Sequence, residues 1–381
     1  MSIFIIFISA LFVQQIYHLF VFSRIAFYKS ASIDVQSVVP ISVVICCRNE
    51  KTNLQKYLPF LLQQQYSNFE ILIVDDDSID ATKEYIEWMM KENPLISLRF
   101  LAVNKTIAGK KQVLYEGVQA AHHDYVLVTD ADCKPSTDQW IQMMSNAIRS
   151  DTAMVLGHAP FNEQKSSLVN LISRFENFIT ACFFLSFAMA RIPYMGVGRN
   201  MLFKKTTYIA TYDRIVKTGT ISGDDDLFVQ FAANRQNCEV CIDASAFMYS
   251  DAKKSWKDFF QQKARHVSTG FFYKWSDLLV LAMYPLSMLL VLIAFVSMLV
   301  KQSNEMVFAC VILVIYLFMI YELKSRAAKV LRFKSTMPIL VLDIFFLIYQ
   351  IFLVIFPFKS KKAEWQSNTN NRNEPKMMQN W

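Results

Sequence analysis

Hydrophobic positions along the chain fall into two regimes. Toward the ends they run almost unbroken: residues 3–27 (IFIIFISALFVQQIYHLFVFSRIAF), 278–300, 306–321 and 337–358 are apolar over stretches that suit membrane helices. Between residues 40 and 250 the apolar positions come in short pieces whose period keeps changing. ISVVICC (41–47) reads as a short apolar strand, and the spacing of Leu54, Tyr57, Leu58, Leu61 and Leu62 after it reads as a helix. EILIVDDDS (70–78) reads as a second strand ending in acids, followed by helix at KEYIEWMMKE and strand at SLRFLAV. KKQVLYEGVQAA then reads as helix and YVLVTDAD as strand. This alternation predicts an α/β domain with a parallel sheet and helices on both faces. Ligands of such sheets bind outside the carboxyl ends of the strands. Arg48 to Glu50, Asp75 to Asp77, and Asp130 with Asp132 all fall at those ends.

The apolar stretches divide the chain into a membrane helix at 1–28, a domain at 38–275, membrane helices over 277–358 and a polar tail at 359–381. The first stretch lacks a basic n-region and a small-residue cleavage site, which favours an anchor over a cleaved signal peptide. Gln14, Gln15 and His18 weaken its centre. Arg24 and Lys29 follow it, and a loop at 324–334 carries Lys324, Arg326, Lys329, Arg332 and Lys334. By the positive-inside rule the 38–275 domain and that loop are cytosolic, at the inner or plasma membrane in a bacterium, and the 301–305 loop is outside. The tail KSKKAEW is basic as well, although one more span would carry it outside. Either 337–358, which contains Pro338 and Asp343, is re-entrant or interfacial, or a span is miscounted. Residues 168–195 are apolar but punctuated by Arg174, Glu176 and Arg191, and read as a helix at the membrane surface rather than a fourth span.

Composition sharpens this division. Hydrophobic residues make up 54% of the 381, and 32 are Phe, too apolar for an ordinary soluble enzyme. The formal charge of +7 sits largely beside the membrane stretches, so it suits anionic headgroups better than nucleic acid. Seven cysteines at scattered positions do not form a disulfide framework. Cys238 and Cys241 have a zinc-like spacing with no second pair.

No Gly-rich phosphate loop follows any of the strands, so a nucleotide diphosphate would need another holder. Asp130-Ala131-Asp132 offers one, because paired carboxylates bind Mg²⁺ or Mn²⁺ while leaving positions for phosphate oxygens. Alone, the tripeptide reads better as a solvated turn. Its neighbours change that reading: VVICCRNE, QQQYSNFEILIVDDDSIDAT, AGKKQVLYEGV, YVLVTDADCKP, GVGRNMLF, SGDDDLF and QQKARH follow in succession over about residues 40–270. This series resembles the inverting family 2 glycosyltransferases, the group that includes cellulose, chitin and hyaluronan synthases and ceramide glucosyltransferase.

The resemblance implies a GT-A fold, the Rossmann-like nucleotide-diphospho-sugar transferase domain, flanked by transmembrane helices. It implies that Cys46, Arg48 and Glu50 line the nucleotide pocket, that Asp76 with Asp75 holds base or ribose, and that Lys110 faces the donor. Asp130 and Asp132 would hold the metal, Mg²⁺ or Mn²⁺, on the diphosphate, and GVGRNMLF would lie beside the sugar. SGDDDLF resembles the segment that carries the general base. Matched as Gly-Asp-Asp the base is Asp225, the preferred reading; aligned on Leu227 it is Asp224, and an acidic helix start capped by Asp224 fits either. Gln262, Arg265 and His266 match a Gln-x-x-Arg-Trp motif whose Gln and Arg contact the diphosphate. His266 stands where the family has Trp, which puts processive synthesis in doubt, and Asp77 stands where Gly is usual. The implied activity is metal-dependent transfer of a sugar, from a UDP-sugar by resemblance, to a lipid or lipid-linked glycan acceptor at the membrane. The alternatives are a processive polysaccharide synthase and an inactive membrane scaffold.

Overall fold

A computed structural model of the chain describes residues 3–29, 39–335 and 337–355. The polar tail, KSKKAEW within it, lies outside the described residues. The first apolar stretch forms α1 (Ile3–Tyr17), a π-helical turn (His18–Phe22) and α2 (Ser23–Ala26) as one continuous rod. The central domain follows as β1 (Ile41–Cys47), α3 (Lys51–Leu62), β2 (Phe69–Asp75), α4 (Thr82–Glu92), β3 (Ser97–Ala102), α5 (Lys111–Ala120) and β4 (Tyr125–Asp130). It continues through β5 (Lys134–Pro135), α6 (Trp140–Asn146), β6 (Met154–Gly157), α7 (Leu168–Met189) and β7 (Met201–Lys204). Then come α8 (Lys205–Lys217), α9 (Asp224–Ala232), β8 (Cys238–Cys241), β9 (Met248–Tyr249) and α10 (Trp256–Gly270). α11 (Trp275–Val300), α12 (Met306–Val330) and α13 (Ile339–Ile355) complete the described chain.

The strands form a seven-stranded sheet in the order β3-β2-β1-β4-β7-β6-β8, beside a two-stranded β5-β9 ribbon. β3, β2, β1 and β4 run parallel, as the alternating pattern predicts. β7 enters antiparallel to both β4 and β6, so the sheet is mixed rather than parallel throughout. Its four residues Met201–Lys204 carry too short a pattern to announce a strand. Strand alternation splits the core in two. Val43, Ile45, Ile73 and Leu127 pack with Leu54, Leu58, Ile86 and Trp140 on one face. Val44, Leu72, Val126 and Val128 pack with Val113, Phe175, Phe178 and Phe228 on the other. Cys238 belongs to the second cluster and Cys241 to the first, so the two thiols lie on opposite faces and cannot share a metal.

Four helices among the described residues are long and apolar enough to cross a membrane: Ile3–Ala26, Leu168–Met189, Trp275–Val300 and Met306–Val330. The third of the four, Trp275–Val300, packs along α1. α7 differs from the others because most of its surface is enclosed by protein. Its aromatic face joins the sheet core, Ser186 Oγ donates to the Val21 carbonyl at 2.6 Å, and Phe178 stacks on Phe333 with ring centres 5.0 Å apart. It is therefore wedged between the sheet and the membrane helices.

The polar residues of the first helix are paired inside the bundle. Gln14 Nε2 donates to the Tyr284 carbonyl at 2.6 Å and to Ser287 Oγ at 2.8 Å, and Tyr316 donates to Gln14 Oε1 at 3.1 Å. The basic stretch expected as a loop at 324–334 is helical up to Val330. Lys324 is buried there and paired with Asp343 of α13 at 2.5 Å, so burial of a matched pair explains both the longer helix and the acid in the last apolar stretch.

Candidate active site

Register brings the first site residues together. In the parallel ladders Cys46 lies opposite Asp130 and Cys47 opposite Asp75, so three strands end on one line. Beyond that line the backbone turns sharply. Asn49 and Asp77 both take left-handed conformations (φ 56° and 54°), a region that favours glycine and that Asn and Asp tolerate better than other side chains. Asn49 N–H donates to Ser78 Oγ at 2.8 Å and Ile79 N–H to Asn49 Oδ1 at 2.9 Å, lacing the two turns together.

Asp76 is buried under these turns, paired with Lys105 at 2.5 Å and Arg48 at 3.5 Å. Burial raises its pKa even though both cations oppose the shift. Asp75 accepts from Ser78 N–H at 3.1 Å and holds the turn. Burial also raises the pKa of Glu50, whose carboxylate accepts from Asn53 at 2.6 Å, and lifts the Cys46 thiol to about 12, so it stays protonated.

Lys110 reaches Asp130 as an ion pair. Burial works against its charge, but Asp130 and Asp224 around it outweigh that and raise its pKa well above the ordinary lysine value. The next residue, Lys111, points elsewhere. Its ammonium is buried and donates to the Thr220 carbonyl (2.7 Å) and hydroxyl (2.6 Å), tethering the loop before α9. Gly109 (φ 96°) has room for no side chain, since a Cβ would lie 2.4 Å from the Ile221 oxygen of that same loop.

Asp132 lies in the turn after β4, where burial and Asp130 raise its pKa. Ligand atoms of Asp130, Asp132 and Cys133 all come within 4.8 Å of one another. Burial holds the Cys133 thiol well above its usual pKa, so the pair of carboxylates is the ligand set on offer. Hard oxygens of that kind fit Mg²⁺ or Mn²⁺.

The three acids of the SGDDD segment open α9. Its N-cap is Gly223 (φ 83°) rather than Asp224, and a Cβ at Gly223 would lie 2.3 Å from Thr269 of α10. Asp225 accepts from Gly198 N–H at 2.8 Å and Asp226 N–H at 2.9 Å. Burial, followed by the charge of Asp224, nevertheless raises its pKa to about 6. Asp226 points inward, where burial and Asp225 raise its pKa well above the carboxylate range.

α10 starts on Ser255, whose hydroxyl accepts from Asp258 N–H at 3.2 Å. Helical spacing then places Gln262, Arg265 and His266 on neighbouring positions of one face. Enclosure of the ring in the cleft, followed by Lys263, Arg265 and Arg199, lowers the pKa of His266, although the residue as a whole is exposed to solvent.

These segments enclose one cleft of about 410 Å³. Cys46, Glu50, Lys110, Asp130, Asp132, Asp224, Asp225, Gln262, Arg265 and His266 all line it. Arg48, Asp75 and Asp76 do not line it; they sit at the strand ends beside it. Sequence reasoning missed Lys105, Lys111, Arg199, Lys253 and the α7 residues Glu176, Asn177 and Thr180. Lys111 and Arg199 lay inside segments already noted, beside the residues chosen from them. The α7 residues were hidden within an apolar run.

Residues 42–210 match the family model described as Glycosyl transferase family 2. The poly-beta-1,6-N-acetyl-D-glucosamine synthase of Staphylococcus epidermidis is 31% identical over 199 residues, covering 51% of this chain and 47% of that protein. The synthase of the same name from Staphylococcus aureus (strain COL) is 28% identical over 187 residues, covering 49% of this chain and 44% of that protein. The chain thus spans just under half the length of the curated relatives it matches. Among solved structures, the mannosyltransferase PcManGT from Pyrobaculum calidifontis, in complex with GDP-Man and Mn²⁺, superposes with a TM-score of 0.53 at 15% identity. That match covers 87% of this chain and 99% of that one, a likeness of fold.

Proposed function

The chain carries a family 2 glycosyltransferase domain, and on that premise we propose that it transfers one sugar, with inversion, from a nucleoside diphosphate donor to a lipid or lipid-linked glycan at the membrane. The catalytic domain would face the cytosol, where the basic residues Arg326, Lys329, Arg332 and Lys334 also lie. The observation that carries this reading is the single cleft in which Asp130, Asp132, Asp225, Gln262 and Arg265 converge from three separate segments.

Each group has a task in that reaction. Arg48, Asp75 and Asp76 at the strand ends hold the nucleoside. Asp130 and Asp132 would hold a divalent cation, which would offset charge on the donor diphosphate. Lys110, Gln262 and Arg265 supply donors to the phosphate oxygens, and their charge favours departure of the nucleotide. Asp225 takes the proton from the acceptor hydroxyl as its oxygen bonds to the anomeric carbon. The bond from that carbon to the diphosphate breaks, and its electron pair leaves with the nucleotide. A pKa near 6 leaves Asp225 ionised at neutral pH yet more basic than an exposed aspartate. UDP-sugars are the favoured donors, and the names of the Staphylococcus relatives make UDP-N-acetylglucosamine the first to try.

Those names also favour a second reading, a processive synthase. His266 in place of Trp speaks for single transfer, and product length separates the two. The test offers UDP- and GDP-sugars with Mn²⁺ or Mg²⁺ to the detergent-purified protein and follows nucleotide release. Turnover of one donor, lost on chelation and in both Asp132→Asn and Asp225→Asn, is the expected result. Absence of UDP and GDP binding in the presence of metal would leave a scaffold.

A further inference from the structure

A second cavity, of about 450 Å³, lies against the β5–β9 ribbon outside the cleft. Lys134, Ser136, Thr137, Asn162, Tyr249 and Arg332 line it. Phe161 and Ser250 line the cleft, whereas their chain neighbours Asn162 and Tyr249 line this cavity. Successive residues of extended chain face opposite ways, so the two spaces lie on opposite sides of the same segments.

The lining includes two cations and, among the described residues, no carboxylate. The acids nearby are engaged: Asp251 accepts from Asn162 at 2.8 Å, and Glu163 lies 3.7 Å from Arg174. Lys134 stands directly opposite Tyr249 in the antiparallel ribbon, so both side chains leave the same face. Its ammonium lies 3.9 Å from the centre of the Phe60 ring. The charge of Arg332 bears on the Tyr249 hydroxyl, which makes this tyrosine the common neighbour of both cations.

Arg332 is held at the cavity by an unusual backbone. Phe333 N–H donates to the Ala328 carbonyl at 2.8 Å and Arg332 N–H to the Lys329 carbonyl at 3.3 Å, the two bonds of a Schellman helix end. That places Arg332 at the left-handed position (φ 56°) where glycine is favoured. The chain on either side is fixed, because Leu331 is buried and Phe333 stacks on Phe178. An arginine in this place costs the helix end conformational energy, and no carboxylate among the described residues repays it.

We propose that this cavity binds the phosphate of an anionic phospholipid headgroup, with Arg332 and Lys134 as its cations. Arg332 stands two residues beyond α12, a helix long and apolar enough to cross a membrane, so the cavity lies at headgroup depth. Ser136 and Thr137 donate to the Ala244 (2.7 Å) and Ser245 (2.9 Å) carbonyls, which leaves their oxygens able to accept from a hydroxylated headgroup such as glycerol. The assignment needs α12 in the membrane but does not depend on the glycosyltransferase reading.

The probe is dioctanoyl phosphatidylglycerol, titrated into the full-length protein in a neutral maltoside detergent. Dioctanoyl phosphatidylcholine and glycerol 3-phosphate are the comparisons, and native mass spectrometry and thermal shift read binding. Phosphatidylglycerol should bind saturably, phosphatidylcholine should not, and glycerol 3-phosphate should compete only at higher concentration. Excess UDP with Mn²⁺ should leave lipid binding unchanged. Arg332→Gly and Lys134→Gln should each weaken it about fivefold, the worth of one cation at a lipid surface. Arg326→Gln, which removes an exposed charge of α12 outside the cavity, should leave it unaltered. Without lipid, Arg332→Gly should melt no lower than the wild type, since glycine suits that backbone. Equal binding of phosphatidylcholine, or an equal loss in Arg326→Gln, would reduce the site to general surface attraction and overturn the proposal. Glycerol 3-phosphate binding as tightly as the lipid would make it a site for free phosphate and overturn the lipid assignment. Displacement by UDP, or a lower melting temperature in Arg332→Gly without lipid, would also overturn it, the first placing the lipid in the cleft and the second making the arginine a structural prop.

Discussion

Replacing Asp225 by Asn should raise stability and abolish turnover, with a dependence on pH that no ordinary packing change would give. Burial and Asp224 lift the Asp225 pKa from 3.8 to about 6, so holding it ionised at pH 8 costs the folded state up to about 3 kcal/mol. Asn carries no charge and is spared that cost. It cannot, however, accept from both Gly198 N–H and Asp226 N–H, since its amide nitrogen must face one of them, a loss of about 1–2 kcal/mol. The variant should therefore be about 1–2 kcal/mol more stable than the wild type at pH 8, a rise of a few degrees in Tm. The sign follows from linkage. A carboxyl whose pKa is raised on folding binds its proton more tightly when folded, so the wild type gains stability as pH falls through about 6 toward 3.8. At pH 5 the advantage of Asn should shrink to nothing or reverse. Intrinsic-fluorescence melts of both proteins in detergent at pH 8 and pH 5, run beside nucleotide release, would check this. A variant equally destabilised at both pH values would refute the claim that burial strains this carboxylate. Turnover surviving in the variant would refute its role as base. In the wild type, kcat should fall about tenfold per pH unit below about 6.

Two structural predictions accompany it. Gly223→Ala should cost about 1–2 kcal/mol through its left-handed φ alone, and more because the new Cβ would lie 2.3 Å from Thr269 Cγ2. Adding Thr269→Ala should recover the second part and leave the first, as read by thermal melts. Lys324→Met should lower stability by about 3–5 kcal/mol by stranding Asp343, whereas the double change with Asp343→Leu should recover most of the loss. A double variant as unstable as the single would show that the pair is held for another reason.

The parts of this molecule written in local pattern were legible in the sequence. β1, β2 and β4 each carry an apolar run closed by charge, and parallel pairing then aligns those closing charges without further information. What escaped depends on partners distant in the chain. Nothing near Arg199 announces that Ser250 and Ala159 fix its guanidinium, 51 and 40 residues away. Lys324 read as a loop charge because lysines usually end an apolar helix, and only Asp343 of the following helix makes its burial tolerable. α7 read as a surface helix because Arg174 and Glu176 interrupt it. Glu176 in fact pairs with Lys263, and Arg174 Nη2 donates to the Lys334 carbonyl at 2.8 Å. β7 escaped for a simpler reason: four residues give no period to detect.

The same long-range contacts give the membrane helices a part in the cleft. α10 carries Gln262, Arg265 and His266, and two contacts fix its position. Lys263 ties it to Glu176 of α7. Phe259 and Phe260 pack on Tyr349 and Phe352 of α13, with ring centres 5.6 Å (Phe259–Tyr349) and 5.4 Å (Phe260–Phe352) apart. α13 is in turn joined to α12 by the buried Lys324–Asp343 pair, whose ammonium also donates to the Tyr284 hydroxyl of α11 at 3.1 Å. A chain of packed groups therefore runs from the centre of the bundle to the helix that closes one side of the cleft. One apolar cluster spans both parts, with Phe22, Tyr284 and Leu342 in the same core as Val44 and Val126 of the sheet. The bundle thus supports α10, which lines the site, and a fragment ending before α11 would lose the support that positions α10.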